Sequence, residues 1–312
     1  MISRIRVLTK SLMEQPGYTL MRVPARFRFA RDAVSRARGV THGPGLRRYL
    51  AERQERLGES VFHGIDRERF VQTLDSDGLA FGLKIPAEMV AQIRQYAEGA
   101  PCFADREPAH GFYADQRELA ERALGKPILV AQYFNTLQHC STIHALRHDP
   151  LLEWIAARYI GSVPAFVGAN LWWTFPVKAR EEDRFKHAHL YHRDVDCFRF
   201  FKFFFYLTDV EPGDGAHVAV AGSHRRPPLT RRLDGMKIRR YADAEIEQTY
   251  DPVAIREICG QAGTGFAENT LCIHKGRTPV RHPRLLLQLQ FAMFDYGVMH
   301  DRRRQQDLRL LR

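Results

Sequence analysis

The tripeptide His192-Arg193-Asp194 carries the strongest chemical signal in the sequence. Residues two apart in a strand project to the same face, so the imidazole and the carboxylate can bind one ion while Arg193 points away. His274 follows about eighty residues later. Two histidines and one carboxylate on one face of an iron ion leave its other positions open for oxygen and a cosubstrate. We therefore predict that His192, Asp194 and His274 are metal ligands and form the catalytic centre.

The sequence also contains competing side chains at the same spacing. His187 and His189 lie two residues apart, and Asp196 follows Asp194 by two. Spacing alone does not choose among these groups, because a histidine and an aspartate separated by one residue often occur by chance. The more distant His274 favours the ligand set given above.

Arg284 lies ten residues after His274, at the start of a strand-like run. A 2-oxoglutarate molecule that chelates a metal through its keto-acid end needs a cation for its distal carboxylate. The rigid guanidinium of arginine suits this role because it binds a carboxylate in bidentate fashion. We predict that Arg284 binds the cosubstrate, and Arg281 is the alternative. Alternatively, Arg284 is a surface residue at the start of a strand and binds no cosubstrate.

Alternating side chains in two segments indicate strands with one polar face. Every polar side chain of Phe201–Thr208 falls on one face, and the same holds for Arg284–Phe291. Such a face lines either a pocket or solvent, and the many short strand-like runs favour the pocket of an antiparallel barrel. We predict a mainly β fold with flanking α-helices, organised as a double-stranded β-helix, the jelly-roll or cupin-like barrel. Asn170, which shares a face with Trp172 on an earlier run, is a predicted cofactor-binding residue in this pocket.

Three helices are indicated by their boundary residues and apolar spacing. In Pro86–Gly99 and Asp149–Gly161 a proline stands in the first turn, apolar residues recur at helical spacing, and a glycine ends the run. A charged segment, Leu46–Arg56, is predicted to be helical as well, after a Gly-Pro-Gly break.

The length and composition predict one catalytic domain with appendages. A chain of 312 residues, 45% of them hydrophobic, can form one substantial core. We divide it into a basic N-terminal arm (1–58), a catalytic domain (59–300) and a basic C-terminal tail (301–312). Five widely spread cysteines without a C-x-x-C pair indicate a reducing compartment. No run approaches the roughly 18 apolar residues of a membrane span. We therefore expect a cytoplasmic protein.

The positive charge is concentrated at the N-terminus. Residues 1–56 contain 13 lysines and arginines against four acids, which accounts for nine of the eleven net positive charges of the chain. Such an arm attracts anions, so we expect either an anionic membrane surface, to which the protein is peripheral, or an anionic small-molecule substrate as its partner. A solvated surface segment is the simplest alternative. A mitochondrial transit peptide fits less well because the segment has few serines and is long.

Four segments between about Asp75 and Tyr296 share a recognisable pattern. They are Tyr191–Asp196, Phe203–Val210, Asp214–His217 with Gly222–His224, and Leu271–Gly276 with Pro283–Leu285. Together they resemble the phytanoyl-CoA dioxygenase family of iron(II)/2-oxoglutarate oxygenases. In that family they would correspond to the proximal metal motif, the central strand, a glycine turn with a Gly-Ser-His segment, and the distal histidine with the cosubstrate arginine.

The resemblance implies that iron(II), 2-oxoglutarate and O2 are the cofactors. It implies hydroxylation of an aliphatic carbon in a small-molecule, lipid, sugar or acyl-linked substrate, with release of succinate and carbon dioxide. Asp194 favours hydroxylation over halogenation, since related halogenases have a small residue there. One position departs from the family, which often has a small hydroxyl residue shortly after the distal histidine. Thr278 is the nearest hydroxyl, and we predict that it binds the cosubstrate.

Three alternatives remain open at the level of sequence. A cupin-type metal enzyme that does not use 2-oxoglutarate would leave Arg284 without an assigned partner. A nucleic-acid demethylase would use the same cofactors, but these enzymes place a second arginine soon after the first, where this chain has leucines. This argues against nucleic acid as a partner. An inactive binding protein is disfavoured because the whole ligand set is present.

Overall fold

The computed structural model describes residues 15–225, 239–297 and 299–311. The described residues contain eleven strands, all paired antiparallel with their neighbours. The strands are β1 (Leu79–Lys84), β2 (Cys102–Ala104), β3 (Gly111–Phe112), β4 (Val130–Tyr133), β5 (Ala165–Thr174), β6 (Phe200–Tyr206), β7 (His217–Val220), β8 (Ile255–Ile258), β9 (Thr264–Glu268), β10 (His274–Gly276) and β11 (Arg284–Ala292). Eight of them form a large sheet in the order β1-β9-β6-β11-β5-β4-β2-β3, and three form a small sheet in the order β10-β7-β8.

Eleven α-helices flank the sheets in the described part of the chain. They are α1 (Pro16–Ala25), α2 (Arg28–Thr41), α3 (Gly43–Glu55), α4 (Arg67–Asp77), α5 (Ala87–Gly99), α6 (Arg117–Leu124), α7 (Thr136–His139), α8 (Ser141–Arg147), α9 (Pro150–Ile160), α10 (Glu181–Lys186) and α11 (Asp243–Glu247). None of these helices combines the length and the apolar character needed to cross a membrane.

The central strands β6 and β11 separate an apolar core from a polar cavity. On β11, Leu285, Leu287 and Leu289 are fully buried in the main hydrophobic core. Gln288 and Gln290 alternate with them and line the cavity on the opposite face. The predicted alternation is therefore confirmed, and the polar face lines a pocket rather than bulk solvent.

The helix boundaries follow local chemistry. Asp149 accepts hydrogen bonds from the backbone N–H groups of Leu151 and Leu152 and so caps α9, and Gly161 ends that helix in the left-handed conformation. The prediction for this helix is confirmed, as is the one for α5 after Pro86. Helix α3 begins at Gly43, earlier than predicted, because a proline is accommodated in the first turn of a helix.

Helices α1 to α3 pack against the rest of the chain. Ala25 is fully buried in the main core. The Tyr18 hydroxyl donates a hydrogen bond to Asp196 Oδ1 (2.9 Å), and Arg53 pairs with Glu153 (2.9 Å). Residues 1–14 of the predicted basic arm, and Arg312 of the predicted tail, lie outside the described residues. The division into arm, domain and tail stays a prediction.

The predicted mainly antiparallel fold with flanking helices is confirmed in its broad form. The pairings among the described strands do not join the two sheets into a closed barrel, so the finer jelly-roll prediction is taken up under the proposed function. All five cysteines are free thiols, and only Cys259 is exposed.

Candidate metal centre

His192 and His274 face each other across a short antiparallel bridge. Each backbone N–H donates to the other residue's carbonyl oxygen at 2.9 Å. Directly opposed residues of an antiparallel pair project their side chains to the same face. The two imidazole rings therefore lie side by side, with centroids 4.2 Å apart.

Asp194 completes a three-residue cluster with these histidines. Its backbone N–H donates to the carbonyl of Thr270 (2.8 Å), which fixes the segment beside the loop that leads to β10. One carboxylate oxygen lies 3.6 Å from His192 Nε2, and the other lies 3.7 Å from His274 Nε2. One potential ligand atom from each of the three residues lies within 4.8 Å of the other two. The structure therefore brings together the three predicted ligands.

Both histidines have the ring orientation of a metal ligand. His192 Nδ1 donates to the carbonyl of Leu190 (3.0 Å), and His274 Nδ1 donates to that of Cys272 (2.9 Å). A proton on Nδ1 leaves a lone pair on Nε2, and both Nε2 atoms face Asp194. Backbone carbonyls thus hold both rings in the form that binds a metal.

The electrostatics keep these groups in their ligand protonation states. Burial lowers the pKa of His192 well below its ordinary range, and the neighbouring His274 lowers it further; burial also lowers the pKa of His274. Burial opposes ionisation of Asp194, but Lys202, followed by the two histidines, outweighs it and holds the pKa of Asp194 well below its usual value. Neutral imidazoles and an ionised carboxylate are the forms that coordinate divalent cations.

Lys202 on β6 is the buried cation beside the cluster. Its ammonium group contacts Asp194 Oδ2 at 2.6 Å and Asp196 Oδ2 at 3.7 Å. Asp196 also accepts hydrogen bonds from Gln290 (3.1 Å) and from Tyr18 of α1. A buried ammonium group needs an anionic partner, and these two carboxylates supply it.

The competing histidines have other side-chain partners. His187 Nε2 lies 3.0 Å from Asp105, a carboxylate that also pairs with Lys126. His189 Nδ1 shares a hydrogen bond of 2.9 Å with Thr278 Oγ1. Neither residue belongs to the cluster that could hold a metal, although both line the cavity.

Arg284 is buried at the start of β11 and lines the cavity. Its guanidinium donates to the carbonyl of Gly215 and, at 3.3 Å, to Thr174 Oγ1. Its Nε has no hydrogen-bond partner among the described residues. Burial of the guanidinium lowers the pKa of Arg284. Gly215 has a φ of 78°, and a Cβ there would lie 2.9 Å from Pro279 Cδ, so only glycine fits at this contact. An unsatisfied buried guanidinium nitrogen is a natural site for an anion.

The cluster and Arg284 share one cavity of about 320 Å³ between the two sheets. Asn170, the predicted pocket residue, lines it and accepts a hydrogen bond from Gln132 (2.9 Å). Thr278 does not line this cavity, but its hydroxyl contacts the ring of His189, which does. Arg281 is half-exposed and pairs with Glu211 and Asp214 instead of entering the cavity.

Glu268 and His217 form a buried pair behind the cluster that the sequence did not indicate. Their side chains share a hydrogen bond of 2.6 Å, and Glu268 Oε1 lies 3.6 Å from His274 Nδ1. Burial raises the pKa of Glu268 to about 7 and lowers that of His217 to about 3. His274 Nδ1 donates to Cys272 rather than to Glu268, so Glu268 acts on His274 through its charge. No local spacing links β7, β9 and β10, so only the tertiary structure places these residues together.

No protein-family model matches the sequence, and a search of curated proteins found no match. The structure is similar to HygX from Streptomyces hygroscopicus, crystallised with nickel and 2-oxoglutarate bound, with a TM-score of 0.50 and 15% identity over 74% of this chain and 89% of that chain. AviO1 from Streptomyces viridochromogenes Tue57 (TM-score 0.49, 15% identity, 73% and 95% of the chains) is also similar. So is SnoN, a non-heme alpha ketoglutarate dependent epimerase from nogalamycin biosynthesis (0.47, 17%, 72% and 81%). The likeness to HygX supports a shared fold.

Proposed function

We propose that this protein is a non-haem iron(II)- and 2-oxoglutarate-dependent oxygenase that hydroxylates an aliphatic carbon of a small-molecule substrate. His192, Asp194 and His274 would hold the iron, and Arg284 would bind the distal carboxylate of 2-oxoglutarate. We further propose that the two sheets correspond to those of a jelly-roll, or double-stranded β-helix, and that the chain is related to the phytanoyl-CoA dioxygenase family.

One observation carries the proposal. A cluster of two histidines and one aspartate, with both Nε2 atoms directed at the carboxylate, shares a cavity with a buried arginine whose Nε has no partner. The donor set fits iron, because two imidazoles and a carboxylate are typical ligands of non-haem iron(II) oxygenases. The solved structure of HygX, with nickel and 2-oxoglutarate bound, is consistent with these cofactors.

The chain's own residues prepare the site for this chemistry. Iron(II) and 2-oxoglutarate, when bound, supply the coupling of O2 reduction to oxidative decarboxylation, which yields succinate, carbon dioxide and an oxidised substrate. Lys202 keeps Asp194 ionised, and the backbone carbonyls of Leu190 and Cys272 hold the histidine rings in place. Amide side chains at the cavity wall can orient a polar substrate by hydrogen bonds.

Two alternatives make different use of the same residues. A metal-dependent cupin enzyme without 2-oxoglutarate would not need a buried cation, so the placement of Arg284 favours the oxygenase. A nucleic-acid demethylase must admit an extruded base together with its flanking phosphates. The cavity of about 320 Å³ is at the small end for ligand sites, which favours a small substrate.

The proposal is tested by metal-dependent binding and turnover of 2-oxoglutarate. We expect one iron(II) per chain, 2-oxoglutarate binding only to the metal-loaded protein, and slow release of succinate in air. His274→Ala should lose all three, whereas His63→Ala, at an exposed histidine remote from the cavity, should keep them. Metal binding without affinity for 2-oxoglutarate would instead favour the cupin-type enzyme. Stimulation of succinate release by added DNA would favour the demethylase.

A further inference from the structure

Among the described residues, four lysine and arginine side chains line the cavity: Arg106, Lys202, Arg284 and Arg303. Three of them have partners. Lys202 pairs with Asp194, Arg284 donates to a backbone carbonyl and to Thr174, and Arg303 donates to the carbonyls of two neighbouring residues. Arg106 makes no side-chain hydrogen bond and no ion pair with any described residue. It is an exposed cation at the rim of the metal cavity.

The backbone that presents Arg106 is in an unusual conformation. Asp105 and Arg106 both have positive φ angles, 55° and 63°, in the turn that follows β2. Residues other than glycine rarely adopt this region, and two in succession are costly unless the surroundings hold them. Strained backbone of this kind is often retained where it positions a functional side chain.

Asp105 supplies the contacts that hold this turn. Its side chain is buried, lies 3.0 Å from His187 Nε2 and pairs with Lys126, and its backbone N–H donates to the carbonyl of Val130 (2.8 Å). Its partners outweigh burial and hold the pKa of Asp105 below its usual value. The cavity histidine His187, which the metal cluster does not use, therefore helps to anchor the turn that carries Arg106.

Most of the remaining side chains at the cavity wall carry hydrogen-bonding groups. Gln132, Asn170 and Gln288 present amides, and the larger apolar side chains that reach the cavity are Trp172, Phe204 and Leu286. Gln132 and Asn170 hydrogen-bond each other, and a long aliphatic chain would desolvate the amide of Gln288 and the remaining donor and acceptor atoms of that pair without replacing their bonds to water. The wall is suited to a compact molecule that carries several hydroxyl or amide groups.

We propose that Arg106 binds an acidic group, a carboxylate or a phosphate monoester, of a small polar substrate whose other polar groups face the cavity amides. This inference rests on the proposed function and names the substrate class of the same site. It excludes long acyl chains from the cavity. It also separates two anion positions: the buried Arg284 for the cosubstrate and Arg106 at the rim for the substrate.

The test measures binding of paired probes to protein loaded with nickel and 2-oxoglutarate. The probes are D-glucose, D-gluconate, D-glucose 6-phosphate and hexanoate, titrated calorimetrically into wild type, Arg106→Gln and Arg302→Gln. Arg302 is the matched control because it is exposed and does not line the cavity. In wild type we expect gluconate or glucose 6-phosphate to bind roughly 10-fold more tightly than glucose, as expected for one charge-assisted contact. Arg106→Gln should abolish this preference, Arg302→Gln should keep it, and hexanoate should bind more weakly than gluconate.

The outcomes separate this inference from the proposed function. If wild type binds neither acid more tightly than glucose, or binds hexanoate best, the substrate class is wrong. Retention of the preference in Arg106→Gln assigns it to another cation and overturns the role of Arg106. Loss of 2-oxoglutarate affinity in Arg106→Gln would place this residue at the cosubstrate. Failure of wild type to bind 2-oxoglutarate at all contradicts the proposed function, and the preference for acids is then measured on protein loaded with nickel alone.

Discussion

Two pairs of histidines line the same cavity and differ in what holds their rings. His192 and His274 are cross-strand neighbours whose Nδ1 atoms donate to backbone carbonyls, so that both Nε2 atoms remain available. His187 and His189 are two residues apart on one segment, and each has a side-chain partner on another element. The difference shows that spacing along a strand does not define a metal site. A candidate metal site is identified instead by ring nitrogens that lack a protein hydrogen-bond partner and are directed at the same carboxylate.

The largest expected effect tests this distinction directly. Asp194→Ala removes a ligand that no neighbour replaces at the same place, so we expect metal affinity to fall by at least about 100-fold, beyond the loss typical of supporting residues. His187→Asn changes a histidine of the other pair and should leave metal affinity within about threefold of wild type, since His187 lies outside the cluster and its Nε2 contacts Asp105. Calorimetric titration with nickel measures both. Comparable losses in the two variants would contradict the comparison.

A smaller effect should separate the two arginines near β11. Arg284→Ala should raise the 2-oxoglutarate concentration needed for half-saturation by roughly 30-fold or more, because a lost buried charge-assisted contact costs about 2–5 kcal/mol. Metal affinity should be nearly unchanged. Arg281→Ala is the matched control, since its guanidinium forms an exposed ion pair with Glu211. A large loss of 2-oxoglutarate affinity in Arg281→Ala alone would transfer the assignment.

The smallest effect concerns His224, a histidine with contacts at both ring nitrogens. Nε2 donates to the carbonyl of Asp75 (3.2 Å), and Nδ1 lies 3.2 Å from Cys272 Sγ. Burial lowers its pKa from 6.5 to about 4. Below pH 6.5 the unfolded chain therefore takes up a proton that the folded chain does not, so stability is lost as the pH falls from about 6.5 to 4.

His224→Gln should remove this contribution, roughly 2 kcal/mol between pH 7 and pH 4.5, from the pH dependence of the free energy of unfolding. Urea unfolding at pH 7 and pH 4.5 measures it, with His63→Gln as the matched exposed control. An unaltered dependence on pH in His224→Gln would show that this histidine is not held neutral. Loss of metal affinity in the same variant would show that His224 also supports the cluster of His192, Asp194 and His274.

Local patterns were sufficient to predict part of this molecule. The alternation in β6 and β11 predicted which faces are polar, and the cap and terminal glycine of α9 predicted its ends. These features depend on residues that are close in sequence, so they can be predicted from the sequence alone. The clustering of His192, Asp194 and His274 was also predicted, from the His-x-Asp spacing and a distant histidine together with the family resemblance, and metal binding by these three residues stays a prediction.

The remaining features depend on contacts between distant segments. Glu268 reaches the cluster from β9, and Asp105 holds His187 from the turn after β2. No periodicity relates such segments, so the sequence did not indicate either contact. The anionic membrane surface stays a prediction for the basic arm. Its described helices do expose Leu20 and Phe29 to solvent, at 62% and 74%.

Docking of α1 beside the predicted metal ligands has a consequence for how the protein folds. Tyr18 and Asp196 are 178 residues apart in sequence, and Arg22 contacts the carbonyl of Val195 across 173 residues. Such contacts close long loops, whose entropy is lost before the contacts stabilise the structure. We therefore expect the segment from His192 to Asp196 to become ordered late, after the sheets have formed. Interactions absent from the transition state act mainly on the unfolding rate, so a bound metal should prolong the lifetime of the native state without accelerating its formation.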